Sequence, residues 1–228
     1  MTRTVLVTGG TRGIGREVVR LLAPSWRVLV GGRSAAAVAA VVAECPDAAG
    51  FVCDLADEGA VAAAVTGIGP LDAVVHSAGV AVRGTAEEVS REEFRRVLEL
   101  NVVAVADLTR LLLPALRAAR GQVVVMNSGS GFVSGAANGI YAASKFAVRA
   151  WADALRDEER GVVRVSSIHP GRVDTDMQVE LQAAEGRAYN TSKLLTAVSV
   201  ARAVVFALKA DADACVESLV VRPAARWE

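Results

Sequence analysis

The opening residues, MTRTVLVTGGTRGIG, constrain this chain more than any other feature. Thr4-Val5-Leu6-Val7 is a short β-branched run that reads as a strand. It passes directly into Thr8-Gly9-Gly10-Thr11-Arg12-Gly13-Ile14-Gly15, and residues 13–23 carry a helical pattern. Glycines at 9, 13 and 15 let the backbone turn tightly and approach a ligand closely. The helix start behind them offers free N–H groups and the positive end of its dipole, which suits a pyrophosphate. Strand, glycine turn and helix in this order point to a dinucleotide site. Its candidate contacts are Gly9, Thr11, Arg12, Gly13, Ile14 and Gly15.

Strand-like and helix-like segments then alternate to the end. Further strands are expected at 27–30, 50–53, 71–76, 122–126, 162–168 and 217–221. Helices are expected from Ser34 to Glu44, from Asp57 to Val65, at 90–116 with Pro114 near its end, at 140–160 and at 197–209. Ser34 and Asp57 are N-cap candidates. Repeated βαβ units predict an α/β fold: a single-domain, Rossmann-like, doubly wound parallel sheet of about seven strands with helices on both faces. At 228 residues the chain suits one such domain, spanning 1–228. Its 53% apolar content suits a sheet buried on both sides. One long segment, 171–193, reads as irregular, and 174–193 within it is expected to be a short substrate lid.

Lys+Arg and Asp+Glu balance at 25 each, and no run of like charge stands out. That argues against nucleic acid or an anionic membrane as partner. Cys45, Cys53 and Cys215 are odd in number and widely spaced, matching neither a disulfide framework nor a metal site. They read as reduced thiols of a cytoplasmic protein. The N-terminus lacks a signal-peptide pattern, and no apolar stretch is long enough for a membrane span.

The spacing Thr-Gly-x-x-x-Gly-x-Gly resembles the short-chain dehydrogenase/reductase family, and the rest of the chain extends the resemblance. Dinucleotide sites of this architecture that take NAD usually place an acid after the second strand. Here the sequence is Gly31-Gly32-Arg33-Ser34. Arg33 and Arg12 could reach a 2′-phosphate and Ser34 could add a hydroxyl, so NADP(H) is expected rather than NAD(H). Asp54-Leu55 matches the family's adenine-contacting pair.

Tyr141-Ala142-Ala143-Ser144-Lys145 puts a phenol and an ammonium on one helical face, one turn apart. A carbonyl reductase needs a phenol that donates a proton, and a nearby ammonium favours the phenolate. By resemblance, Lys145 also binds the nicotinamide ribose. Ser128, thirteen residues before Tyr141, matches the family's catalytic serine, a donor aimed at the substrate oxygen. Asn101 matches the family's fourth catalytic residue, which there keeps a water in a proton relay to the lysine. Pro170-Gly171-Arg172-Val173-Asp174-Thr175 resembles the turn that meets the nicotinamide carboxamide, assigning Pro170, Gly171, Val173 and Thr175 to the cofactor. Ala78 and Gly79 match the small surface facing the adenosine ribose. One motif departs: His76-Ser77 stand where the family usually has Asn-Asn, and both read as structural.

The resemblance implies a reductase that passes hydride from NADPH to an aldehyde or ketone, or the reverse, without a metal. A cofactor-binding regulator or redox sensor on the same fold is the alternative, though such proteins often lose the tyrosine or lysine, both present here. Phe132, Val133, Asn138, Met177, Leu181 and Tyr189 are expected to line the pocket for a small carbonyl or alcohol. Relatives commonly pair their long helices, here about 90–118 and 140–160, so a homodimer or homotetramer is implied.

Overall fold

The computed structural model describes residues 2–184 and 189–224. Residues 185–188 of the expected lid lie outside that range. Strand β1 (Arg3–Thr8) leads into α1 (Gly13–Leu22), β2 (Trp26–Gly32), α2 (Ala35–Val42), β3 (Ala48–Val52), α3 (Glu58–Val65) and β4 (Ala73–His76). Next come α4 (Arg91–Leu98), a π-helical stretch (Glu99–Val103), α5 (Ala104–Ala119), β5 (Gln122–Met126), α6 (Gly139–Glu158) and β6 (Arg164–Pro170). The chain ends with β7 (Val173–Asp174), α7 (Asp176–Ala184), β8 (Leu195–Thr196), α8 (Ala197–Leu208) and β9 (Ser218–Val221).

Seven strands form one parallel sheet in the order β3-β2-β1-β4-β5-β6-β9. Strand order reverses between β1 and β4, and ligands of such sheets bind beyond the strand C-termini at that point. Strand alternation feeds two cores. Val5, Val7, Val28, Val30, Val75 and Val124 face α1 and α8, whereas Leu6, Val74, Val123, Val125 and Val165 face α5 and α6. Each side chain therefore goes to one face or the other, as period-two geometry requires.

The N-caps act where expected: Ser34 accepts from Ala37 N–H and Asp57 from Ala60 N–H. Ser90 and Glu93 form a reciprocal capping box that starts α4. Three expectations change. The helix expected at 90–116 is broken by the π-helical stretch and continues past Pro114 to Ala119, because Leu112 and Leu116 are packed in the core on either side of the proline. The described residues of segment 171–193 are not all irregular: they hold β7, α7 and a 3-10 turn at Thr191–Lys193, and β7 pairs with β8 in a second small sheet. The sixth strand begins later than expected, at Arg164, and runs through Pro170.

Candidate active site

The turn after β1 has the geometry its sequence demands. Gly9 and Gly13 take φ of +63° and +53°, a region L side chains rarely adopt. A Cβ at Gly15 would come within 2.2 Å of the Gly9 carbonyl oxygen, and one at Gly9 within 2.9 Å of the Ala78 backbone. Helix α1 begins with no side-chain cap at Arg12, so its first N–H groups stay open to a ligand. Thr8, absent from the sequence-based candidates, holds the facing turn: its Oγ1 accepts from Ser77 N–H at 3.1 Å and Ala78 N–H at 3.2 Å.

A cavity of about 410 Å³ opens over this turn. Gly9, Thr11, Arg12, Gly13, Ile14 and Gly15 line it together with Arg33, Ser34, Asp54, Leu55, Ala78, Gly79 and Thr175. The expected cofactor contacts outside the catalytic turn are thus brought together. Two have other partners as well. Arg12 lies 3.9 Å from Asp176 and 3.8 Å from Glu180 of α7, and Asp54 accepts from Ala56 N–H in its own turn. Ser34 serves its helix as cap while also lining the cavity.

A second cavity of about 820 Å³ continues from the first and shares Ile14, Ser77, Ala78, Gly79, Val80, Thr175 and Met177 with it. Ser128, Tyr141 and Lys145 all line it, with Pro170, Gly171 and Val173. Ser128 ends the β5 connection, and its Oγ accepts from Ser130 N–H at 3.1 Å, leaving the hydroxyl proton to donate. Burial pushes the Tyr141 phenol above its ordinary pKa, while a hydrogen bond with Ser128 and the charge of Arg83 pull it down. Lys145 is buried, and burial lowers its pKa to about 8.

Lys145 has a backbone partner of its own beside Tyr141. Its Nζ donates to the Met126 carbonyl at 2.8 Å and lies 5.7 Å from the Tyr141 ring centre. The charge of Arg83, from the loop after β4, also acts on the phenol.

Asn101 does not line this cavity. It sits in the π-helical stretch, and its Oδ1 accepts from Val80 N–H at 2.9 Å while its Nδ2 donates to the Val80 carbonyl and to Ser144 Oγ. Ser144 Oγ in turn donates to the Tyr141 carbonyl at 2.7 Å. Asn101 therefore ties the loop after β4 to the first turn of α6. An asparagine within an apolar helix was the signal for it; the π-helical geometry, common at functional sites, left no mark in the sequence.

Of the expected pocket lining, Val133, Asn138, Met177 and Leu181 are present and Phe132 and Tyr189 are not. Phe132 packs on the His169 ring at 4.3 Å between centroids, and Tyr189 hydrogen-bonds Asp174 instead. Sequence reading missed Arg83, Gln178 and Arg222, which also line the cavity, as does Arg172.

The two histidines brace the site. His76 Nε2 meets Thr109 Oγ1 at 2.8 Å, and because that hydroxyl donates to the Val105 carbonyl, His76 is the donor. Burial lowers its pKa to about 4, so it is neutral. His169 Nδ1 lies 3.3 Å from the Ser128 carbonyl. Among the described residues, no group of His, Cys, Asp and Glu could hold a metal ion, and no helix is long and apolar enough to cross a membrane.

Comparison with known proteins agrees with this geometry. Residues 3–186 match the family model for short chain dehydrogenases. Dehydrogenase/reductase SDR family member 7B of Bos taurus is 34% identical, over 90% of this chain and 70% of its own. L-fucose dehydrogenase of Bos taurus is 37% identical, over 80% of this chain and 70% of its own. The structure of an alcohol dehydrogenase from the archaeon Thermococcus sibiricus, complexed with 5-hydroxy-NADP, superposes with a TM-score of 0.90 at 26% identity, covering 99% of both chains. With the glycine turn, the seven-stranded sheet and the Ser-Tyr-Lys cluster all in place, this chain belongs to the short-chain dehydrogenase/reductase family of oxidoreductases.

Proposed function

We propose that the protein is an NADP(H)-dependent reductase that converts a small aldehyde or ketone to its alcohol, or runs the reverse reaction. One observation carries the reading: Ser128, Tyr141 and Lys145 converge on a single cavity that continues into the groove over the glycine turn. The groove fits a dinucleotide, because α1 starts beside the glycine turn with no side-chain cap and its first N–H groups stay open. Arg33 and Arg12 on its rim, and no acid after β2, favour the 2′-phosphate of NADP. The similar alcohol dehydrogenase bound to 5-hydroxy-NADP supports the same choice.

NADPH supplies the hydride when bound. Ser128 and Tyr141 hold the carbonyl oxygen, and Tyr141 donates its proton to that oxygen as negative charge develops. Lys145, with its pKa near 8, can exchange a proton close to neutral pH and restore the tyrosine. Asn101 acts through position, fixing the turn that carries Tyr141. The chain is read as one dinucleotide-binding domain with a short substrate segment at 174–193. It works in the cytoplasm, consistent with its free Cys45, Cys53 and Cys215. Homo-oligomers form through the long helices, where Val103 and Phe146 leave apolar surface exposed.

The test follows absorbance of NADPH and NADH with a panel of aldehydes, ketones and quinones, with Tyr141→Phe as control. Turnover with NADPH that the variant loses is the expected result. Tight cofactor binding without turnover of any panel member would instead favour the regulator reading.

A further inference from the structure

Asparagine is among the best residues at a helix N-cap, where its side-chain oxygen takes up a free backbone N–H. Asn138 stands at that position of α6, the helix that carries Tyr141 and Lys145, yet its side chain caps nothing. It is only 6% exposed, and its Nδ2 donates instead to Ser130 Oγ at 3.1 Å. Its Oδ1 is buried with no partner among the described residues. The reverse orientation of the amide would leave a buried NH2 unpaired in place of a carbonyl oxygen, and orphaned donors are the rarer of the two. The amide thus forgoes the helix start to hold one hydroxyl. Ser130 belongs to the 3-10 turn Gly129–Gly131 that follows Ser128. Ser128 N–H donates to Asn127 Oδ1 at 2.8 Å, Ser130 N–H to Ser128 Oγ at 3.1 Å and Gly131 N–H to the Ser128 carbonyl at 3.0 Å, so the turn is pinned. Ser130 therefore stands against the Ser128 hydroxyl, and it lines the same cavity as Ser128, Tyr141 and Asn138. Its oxygen accepts from Asn138, and among the described residues nothing accepts its proton. A hydroxyl held that way keeps its proton to donate to whatever fills the cavity.

We infer that Ser130 binds a second oxygen of the substrate, on the carbon next to the reacting one, so that the site favours hydroxyketones, or vicinal diols in the reverse direction, over simple ketones and alcohols. The inference rests on the reductase reading above. In that reading Ser128 and Tyr141 hold the reacting oxygen, and Ser130, on the same pinned turn as Ser128, meets an oxygen beside it. A ketone with a methyl group in place of the hydroxyl would strip water from Ser130 and leave its proton unpaired. A site built around a polar group rejects an analogue that lacks it for this reason. Asn138 is a positioning residue that acts through Ser130. No bond to Ser130 forms or breaks: NADPH gives a hydride to the carbonyl carbon, Tyr141 gives a proton to its oxygen, and the neighbouring hydroxyl is unchanged.

The experiment compares 1-hydroxy-2-butanone with 3-pentanone, in which a methyl group replaces the hydroxyl, under NADPH in the wild type and in Ser130→Ala. Both ketones are also compared for their effect on the melting temperature of the NADP+ complex, where no turnover occurs. A hydroxyl beside a carbonyl makes it more reactive in any protein, so the measure is the change in the ratio of kcat/KM values on substitution. Ser130→Ala should lower the ratio of hydroxyketone to ketone by about three- to tenfold, the scale of one neutral hydrogen bond, through KM for the hydroxyketone. In the wild type the hydroxyketone should raise the melting temperature more than 3-pentanone does, and Ser130→Ala should remove that difference. Asn138→Ala should lower the ratio in the same direction; an equal change for both ketones overturns its positioning role. An unchanged ratio in Ser130→Ala, with turnover that Tyr141→Phe abolishes, overturns the second-oxygen site and leaves the reductase standing. A fall in kcat common to both ketones also overturns it, because Ser130 would then serve only the turn of Ser128. No turnover, but extra stabilisation by the hydroxyketone that Ser130→Ala removes, supports the site and counts against the reductase. No turnover and equal stabilisation by the two ketones overturns both.

Discussion

The two ends of the groove are built by different means. The cofactor end leans on backbone: Gly9 packs on Ala78 and Gly15 on Gly9 so closely that no side chain could intervene, Gly13 takes a φ of +53°, and Thr8 braces the facing turn. Residues of β1, its turn and the start of α1 line it together with residues after β2, β3 and β4 and at the start of α7. The catalytic end is made of side chains from separate segments: Ser128 after β5, Tyr141 and Lys145 on α6, Arg83 after β4, Met177 and Leu181 on α7. Local chain geometry sets the first, and long-range packing sets the second. A backbone-built site cannot vary its residues without losing its shape, whereas a side-chain wall can be rewritten for a new substrate on the same frame.

The largest expected effect separates chemistry from binding. Tyr141→Phe removes the proton donor, which general acid catalysis values at about 10²–10⁴ in rate. Steady-state turnover should fall by that amount while NADPH fluorescence titration stays near wild type; loss of NADPH binding instead would mean the two ends are not separable.

Next is His76, buried and bonded to Thr109 of α5. The His76 pKa of about 4 lies below the ordinary 6.5, so as pH falls the unfolded chain takes up this proton first. Stability should therefore be lost between pH 6.5 and 4 and level off below, by up to roughly 3 kcal/mol. His76→Asn should flatten that slope in denaturant midpoints measured at pH 7 and 4.5, leaving the part due to His169, whose pKa burial also lowers. An unchanged slope would put the titration elsewhere.

A third substitution probes the cofactor end alone. Arg33→Ala should weaken NADPH by roughly 1.5–3 kcal/mol, the value of a charge-assisted hydrogen bond, and leave NADH nearly untouched. Unchanged NADPH affinity beside tight NADH binding would refute the 2′-phosphate role.

The smallest effect contrasts the two kinds of wall. A Cβ at Gly15 would sit 2.2 Å from a backbone oxygen, whereas one at Gly135 in the catalytic wall would meet nothing within 4 Å. Gly15→Ala should destabilise by about 1–3 kcal/mol, an overpacking cost, and Gly135→Ala should leave the melting temperature where it is. Equal shifts would erase the distinction.

Much of the site was legible because the residues that define it keep fixed spacing. Gly9, Gly13 and Gly15 share one turn, and Tyr141 and Lys145 share one helical face. Lys145 shows the limit of such reading: spacing placed it on the face of the phenol, and only the fold shows that its ammonium, 5.7 Å from the Tyr141 ring centre, donates to the Met126 carbonyl of β5. Asn101 shows another, since its side-chain partners Val80 and Ser144 lie 21 and 43 residues away, beyond what spacing can indicate. Segment 171–193 was read as irregular because its helix carries little amphipathic pattern; Thr175 starts it, and Asp176 and Glu180 lie near Arg12 of a distant turn.

By itself the sequence determined the parallel α/β frame, the glycine turn and the Tyr141–Lys145 pair, because period-two strands, glycine conformation and helical spacing are local properties of the chain; Ser128 was reached through the resemblance to the family. Only the tertiary structure decided the π-helical stretch, the Lys145–Met126 hydrogen bond and the gathering of Arg83, Arg172 and Arg222 around one cavity. Those depend on which distant backbone groups and charges come within a few ångströms once the sheet closes, and spacing along a chain carries no measure of that.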